Sequence, residues 1–446
     1  MISKNHENLI DKTFNYKKKD FGDDFLWGVS TLPSYNNEKH IINTTYLHTQ
    51  DEFETTKKTS VNNDHSKPNT SLHKKFKEDL KLIKKLGLTN IKITISWAKI
   101  LPNGIGEVNE EGINFYNEIL DNCLENNIEP FITLYHWNLP QELEIKGGWT
   151  NRDILNWFEE YTKICVNAFK NKVKYWIVLN DPTVFVGTNY FLGVNSNGKK
   201  KLNIFLPTMH HALLCQSIGY NTIKEIDPNS QVGTSISCTH IIPKTYSEKN
   251  IIAAERIDSL LNKAFIEPSL GIGYPINKLP FLKYISKYTH KGDDELIKVN
   301  FDFIDLQNYT RKVVEHHSYT PYVNAKLVTT KKNTDSNWEM HPKSFYLMIL
   351  KFSEYTGVKK IIITENGTSF LDEIKKDSIN EEKQTFYIEN YLKQILYAQQ
   401  KSDKIKGYFV WSLTDNFENN IDFNQKSETS KVDKNKTQFI VKNFSK

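Results

Sequence analysis

The chain has 446 residues, of which 38% are apolar and 12% aromatic, enough for a sizeable core, and 25% are charged, which excludes disorder throughout. Its formal net charge is +5, but the lysines are scattered, so a nucleic-acid partner is not expected. No apolar run is long enough to suggest a membrane span.

Residues 1–20 read as a polar N-terminal tail with no apolar stretch of the kind a secretion signal needs, so a cytoplasmic location is expected. From Phe21 onward, short β-branched and apolar runs alternate with amphipathic helical patterns. The first run is Phe25–Thr31 (FLWGVST), and residues 41–70 after it form a polar loop insertion with no apolar period. A helix follows over 71–86, with Leu72, Phe76, Leu80, Ile83 and Leu86 on one face and Gly87 as its stop. Asn90–Ser96 (NIKITIS) is the second run and 129–136 (EPFITLYH) the third. A helix over 151–169 follows, with Ile154, Trp157, Tyr161, Ile164, Cys165 and Ala168 on its apolar face. Five further runs complete the set, at 174–181, 231–238, 302–309, 360–366 and 405–412.

Eight strands alternating with helices predict a parallel sheet. The first run lacks the Gly-rich phosphate loop of an open doubly wound sheet. The expected fold is therefore α/β, a single (β/α)₈ TIM barrel over 21–424, with a polar C-terminal tail over 425–446. Cys123, Cys165, Cys215 and Cys238 show no C-x-x-C spacing, so a metal site is not expected, and buried thiols are the simplest account.

In such a barrel, reactive side chains project from the C-terminal strand ends. Those ends carry Trp97, His136, Trp137, Asn180, Asp181, Tyr309, Glu365 and Trp411, with Glu418 just beyond. Two carboxylates among amide, imidazole, phenol and indole groups suit a sugar: hydroxyls take polar partners, and the ring face takes an aromatic plate. Paired carboxylates are also the machinery of glycosidic bond cleavage. Each residue alone has a plainer reading. Asp181 could cap the helix that follows it, His136 could be a satisfied core histidine, and Trp411 could be core.

Several long motifs, in order and at matching spacing, make the chain similar to glycoside hydrolase family 1 from about Phe21 to Phe423. They are FLWGVST, ITISWAKILPNGIGEVNEEGINFYNEILD, EPFITLYHWNLPQELEIKGGWTNRDI, KVKYWIVLNDP, IIITENGT and GYFVWSLTDNFEN. The resemblance implies hydrolysis of β-linked glucosides or galactosides with retention and without a cofactor. By the same resemblance Glu365 is the nucleophile, Tyr309 and Lys92 position it, and Asp181 is the acid/base. Asn36, His136, Trp137, Asn180, Gln307, Trp411, Glu418 and Asn419 are then the sugar-binding residues, and a small carbohydrate is the expected partner.

The pocket departs from the family pattern in five places. Asp181 stands for a glutamate, Lys92 for an arginine, Gln307 for an asparagine, Asn36 for a glutamine and Asn419 for a tryptophan. Two readings follow: a retaining β-glucosidase, favoured by the intact T-E-N-G segment and the carboxylate of NDP, or a member that binds a glycoside or partner without turnover, favoured by the substitutions. The oligomeric state is not legible.

Overall fold

The computed structural model describes residues 15–31, 70–187, 191, 202–328, 339–368 and 381–412; side chains of 70–75 and 381–384 are not described. Asn36, Glu418 and Asn419, the loop over 41–69 and the tail over 425–446 lie outside these residues.

Eleven strands occur in the described residues: β1 (Leu26–Ser30), β2 (Asn90–Thr94), β3 (Glu129–Tyr135), β4 (Tyr175–Leu179), β5 (Gln231–Ser237), β6 (His240–Pro243), β7 (Phe303–Gln307), β8 (Arg311–His316), β9 (Ala325–Val328), β10 (Ile361–Asn366) and β11 (Ile405–Trp411). Eight of them, in the order β1, β11, β10, β7, β5, β4, β3, β2, close a parallel barrel. Each corresponds to one of the runs expected from the sequence. The remaining three, β6, β8 and β9, form a separate sheet that the sequence reading did not anticipate. Most of their residues are only partly buried, so they lack the apolar character that marks the barrel strands.

The helices between the strands supply the outer layer. Thr70–Lys85 ends as expected at Gly87, whose φ of +65° is left-handed. Leu88 N donates to Ile83 O and Gly87 N to Lys84 O, the paired bonds of a Schellman stop. In the helix Ile154–Phe169 the buried face is centred differently from the expectation. Ile154, Phe158, Tyr161, Cys165, Val166 and Phe169 are buried, whereas Trp157, Ile164 and Ala168 flank the face and are only partly covered. Trp97, which the sequence suggested for the rim, is also core. Its ring stacks on Tyr161 at 4.6 Å and its Nε1 donates to Gly104 O. All four cysteines are buried and free.

Inside the barrel, Phe131, Ile177, Phe303, Ile362 and Phe409 form an apolar floor of their own. Two glycines make room for it. A Cβ on Gly28 would lie 2.7 Å from the Phe409 ring, and one on Gly233 2.6 Å from the Phe303 ring. Small residues facing large ones fill the interior without a void. Along β7 the inward side changes from apolar to polar toward the C-terminal end, from Phe303 to Asp305 to Gln307. Among the described residues no helix is long and apolar enough to cross a membrane.

Candidate active site

Lys92 points into the barrel from the middle of β2 and is 2% exposed. Its flanking residues Ile91 and Ile93 pack outward in the helix-facing core, as strand alternation requires. Its ammonium lies 3.0 Å from Glu365 Oε1, 3.1 Å from Asp305 Oδ2, 2.8 Å from Asn180 Oδ1 and 2.9 Å from Thr364 Oγ1. Burial alone would lower its pKa, but the charges of Asp305 and Glu365 outweigh this and raise it. Lys92 is therefore a cation held between two carboxylates.

Glu365 ends the motif that β10 brings to the rim. In a regular strand, neighbours face opposite sides, yet Thr364 and Glu365 both reach the same lysine. The ladders explain this. The pairing of β10 shifts register between Ile363 and Glu365 against β7, and between Ile363 and Asn366 against β11. Such a bulge re-aims a side chain, and here it turns Glu365 into the pocket. Tyr309, two residues beyond the end of β7, donates its hydroxyl to Glu365 Oε2 at 2.5 Å. Both carboxylate oxygens of Glu365 thus have fixed donors.

Asn180 and Asp181 follow β4. Asn180 Oδ1 accepts from Lys92 and, at 2.9 Å, from Gln307 Nε2. Its amide nitrogen must therefore face His136 Nε2, 3.2 Å away. That makes Nε2 the acceptor and leaves the His136 proton on Nδ1, toward Thr94 Oγ1 at 3.4 Å. Burial first, and then the Lys92 charge, push the His136 pKa down to about 3, so the ring is neutral.

Asp181 has a left-handed φ of +50° and caps the helix Pro182–Val186. Its Oδ1 accepts from Val184 N and Ser237 N, each at 3.3 Å. The plainer reading of this residue as a cap is thus true of one of its oxygens. Its carboxyl is 3% exposed as a residue. Burial, followed by the negative charge of Glu365, pushes its pKa up to about 7. Asn180, the residue before Asp181, shares the Lys92 ammonium with Glu365, so β4 and β10 bring the two carboxyls to the same end of the barrel.

Trp137, also at a left-handed φ of +68°, buries an indole Nε1 that has no acceptor among the described residues. Trp411 ends β11, half-buried at the same rim. Of the residues expected at the site, nine are brought to the barrel mouth or just beneath it: Lys92, His136, Trp137, Asn180, Asp181, Gln307, Tyr309, Glu365 and Trp411.

Asp305 and Thr364 complete the site and were missed in the sequence. A signal existed for Asp305: an acidic residue in the apolar run of β7 is as unusual as the lysine in β2, and opposite charges inside one barrel are natural partners.

A closed parallel barrel with paired carboxyls among amide, imidazole and indole groups at its strand ends has the architecture of a (β/α)₈ enzyme site. The chain belongs to glycosyl hydrolase family 1, whose model matches residues 17–444, and it is a glycoside hydrolase. That match extends beyond Phe423, where the recognisable motifs end. The chain is 33% identical over 412 residues to a 1,4-beta-D-glucan glucohydrolase of Thermotoga neapolitana, covering 90% of this chain and 95% of that one. It is 32% identical over 412 residues to beta-glucosidase A of Thermotoga maritima, covering 90% of each. Among solved structures, a Thermotoga maritima beta-glucosidase in complex with glucoimidazole superposes with a TM-score of 0.79 at 31% identity, covering 90% of this chain and 91% of that one.

Proposed function

We propose that the protein is a retaining β-glycosidase acting on β-glucosides, with Glu365 as nucleophile and Asp181 as acid/base. The observation that carries this reading is the contrast between two neighbouring carboxyls. Glu365 is paired with the Lys92 ammonium, while Asp181 keeps its proton to about pH 7 because of burial and the Glu365 charge. Carboxyls with such divergent surroundings are a nucleophile and an acid ready to act at neutral pH.

The steps follow from the same contacts. Glu365 Oε attacks the anomeric carbon while Asp181 gives its proton to the leaving oxygen. Esterification removes the Glu365 charge, and with it part of what holds the proton on Asp181. Asp181 then works as the base that deprotonates water, which attacks the glycosyl ester and frees Glu365. Tyr309 holds the departing carboxylate throughout. Asn180 and His136, fixed by their shared bond, face the hydroxyls. The Trp137 indole donor, buried without a protein acceptor among the described residues, fits a sugar oxygen. Trp411 supplies an apolar plate. The names of the relatives favour a glucoside over other β-glycosides.

The alternative is a protein that binds glycosides without turning them over. It draws on one observation: Asp181 is one methylene shorter than the glutamate of the family pattern, and one of its oxygens is engaged by two main-chain N–H groups.

A β-glucoside with an activated aryl leaving group separates the two. Such a leaving group needs little acid help, so it tests Glu365 apart from Asp181. Turnover with a β-configured first product, followed by NMR, is the expected result. Binding of the glucoside with no aryl release would sink the hydrolase in favour of the binder.

A further inference from the structure

Asp305 is fully buried in the middle of β7, where an unpartnered carboxylate would be costly. Both of its oxygens are taken. Oδ2 faces the Lys92 ammonium at 3.1 Å, and Oδ1 accepts from Thr364 N at 3.2 Å. Thr364 lies at the bulge that turns Glu365 inward. Its carbonyl accepts from Ser30 Oγ at 2.5 Å. Both main-chain groups of Thr364 are therefore held by side chains, one from β1 and one from β7. A bulge disrupts the ladder locally, and here side chains replace the missing partners.

The charges add a second effect. An ammonium has three N–H donors, and Lys92 serves four oxygens, two of them carboxylate. Asp305 thus competes with Glu365 for one cation. Burial is the larger effect and raises the pKa of Asp305 from its ordinary value, although the Lys92 charge opposes it. With both carboxylates ionised, Asp305, Lys92 and Glu365 together carry one net negative charge. Without Asp305, Lys92 and Glu365 would balance each other and the cluster would lose that net negative charge. After esterification of Glu365, Asp305 remains as the counter-ion of Lys92, so no bare buried ammonium faces the sugar. The other titratable groups facing this cluster are Asp181 from the end of β4, neutral His136 from the end of β3, and Tyr309 beyond β7.

We propose that Asp305 is a positioning residue for Glu365, acting through the main chain of the bulge and through shared use of Lys92. The inference rests on the glycosidase reading of Glu365. On that reading, the charge Asp305 adds to the cluster strengthens the hold on a ligand that is positive at the anomeric end.

The test compares Asp305→Asn with the unaltered protein by calorimetry, using deoxynojirimycin at a pH where its amine is protonated, and glucose as its uncharged counterpart. Asp305→Asn is expected to lose about tenfold or more in affinity for the iminosugar while glucose binding changes less than about threefold. Turnover of an aryl glucoside should fall by roughly 100- to 1,000-fold, the scale of losing one preorganised group. Thermal unfolding checks that the variant is folded, and Asp305→Ser is the second variant if asparagine is not tolerated. Equal losses for both ligands would reduce Asp305 to a structural strut and overturn the inference, as would no loss for either. An unaltered protein that binds neither ligand and turns nothing over removes the glycosidase reading and this inference together. An active unaltered protein with an unselective Asp305→Asn removes the inference alone.

Discussion

The two ends of the barrel interior are built on opposite principles. At the floor, Phe131, Ile177, Phe303, Ile362 and Phe409 touch one another and nothing polar is asked of them. Position there is set by volume alone, with Gly28 and Gly233 yielding space to the rings. At the mouth, Lys92, Asn180, Asp305, Gln307, Tyr309 and Glu365 are fixed by hydrogen bonds between 2.5 and 3.1 Å. The floor can lose a side chain and cost stability without changing chemistry. The mouth can keep its shape and still lose chemistry when one charge changes.

The largest effect should come from the mouth. Glu365→Gln keeps the size of the side chain but removes the nucleophile, and turnover should fall on the order of 10⁵-fold or more, as for other covalent nucleophiles. Steady-state rates with an activated aryl glucoside measure this. Turnover near that of the unaltered protein would mean that another group attacks the sugar.

The floor gives the converse. Phe303→Ala removes a ring that lies 6.1 Å from Phe131, centroid to centroid, and fills the space beside Gly233. About 3–5 kcal/mol of stability should be lost, read from urea midpoints. The fraction still folded should turn over at nearly the unaltered rate. A large drop in its turnover would show that the floor holds the mouth in place, and the two ends would not be separable.

This division also governs how much was legible in the sequence. The eight barrel strands were readable because short runs rich in β-branched and apolar residues alternate with amphipathic helical patterns, even where a polar residue such as Lys92 interrupts the run. The helix stop at Gly87 was readable because a local backbone conformation demands it. The rim residues could be found from their place at strand ends. Asp305 and the bulge at Thr364 were not, because strand alternation assigns Thr364 and Glu365 to opposite faces. Only the pairing of β10 with β7 and β11, which is non-local, shows that they share one. The sheet of β6, β8 and β9 escaped for a related reason: its half-exposed strands pair with one another and pack on the helix Glu248–Asp258, and no local period announces them.

Within the mouth, Asp181→Glu sharpens the comparison. The added methylene restores the reach of the family residue. Hydrolysis of unactivated disaccharides should rise at least about tenfold, part of the 10²–10⁴ that general acid help is worth. The first step with activated aryl glucosides should change less, which pre-steady-state release of the aryl group can measure. An equal change for both substrates would mean that the short side chain is not what limits proton delivery.

The smallest effect concerns the stability that Asp181 costs the fold. In the unfolded chain its carboxyl titrates near the ordinary value of 3.8, whereas in the native protein burial and the Glu365 charge push this up to about 7. Between these values the native state binds more protons than the unfolded state, so this group makes stability fall as pH rises. The penalty is absent below about pH 4 and complete above about pH 7. Asp181→Asn carries no charge and retains an Oδ1 for Val184 N and Ser237 N, which now bond that atom. It should match the unaltered protein near pH 4 and exceed it by roughly 1–3 kcal/mol at pH 8, a discounted share of the full linkage. Urea unfolding at the two pH values measures the difference, and a gain independent of pH would contradict the assignment. Because Glu365 supplies part of the penalty, the gain from Asp181→Asn should shrink in a Glu365→Gln background. Additive effects would mean that the two carboxyls do not sense each other, and the electrostatic coupling of nucleophile and acid would fail with it.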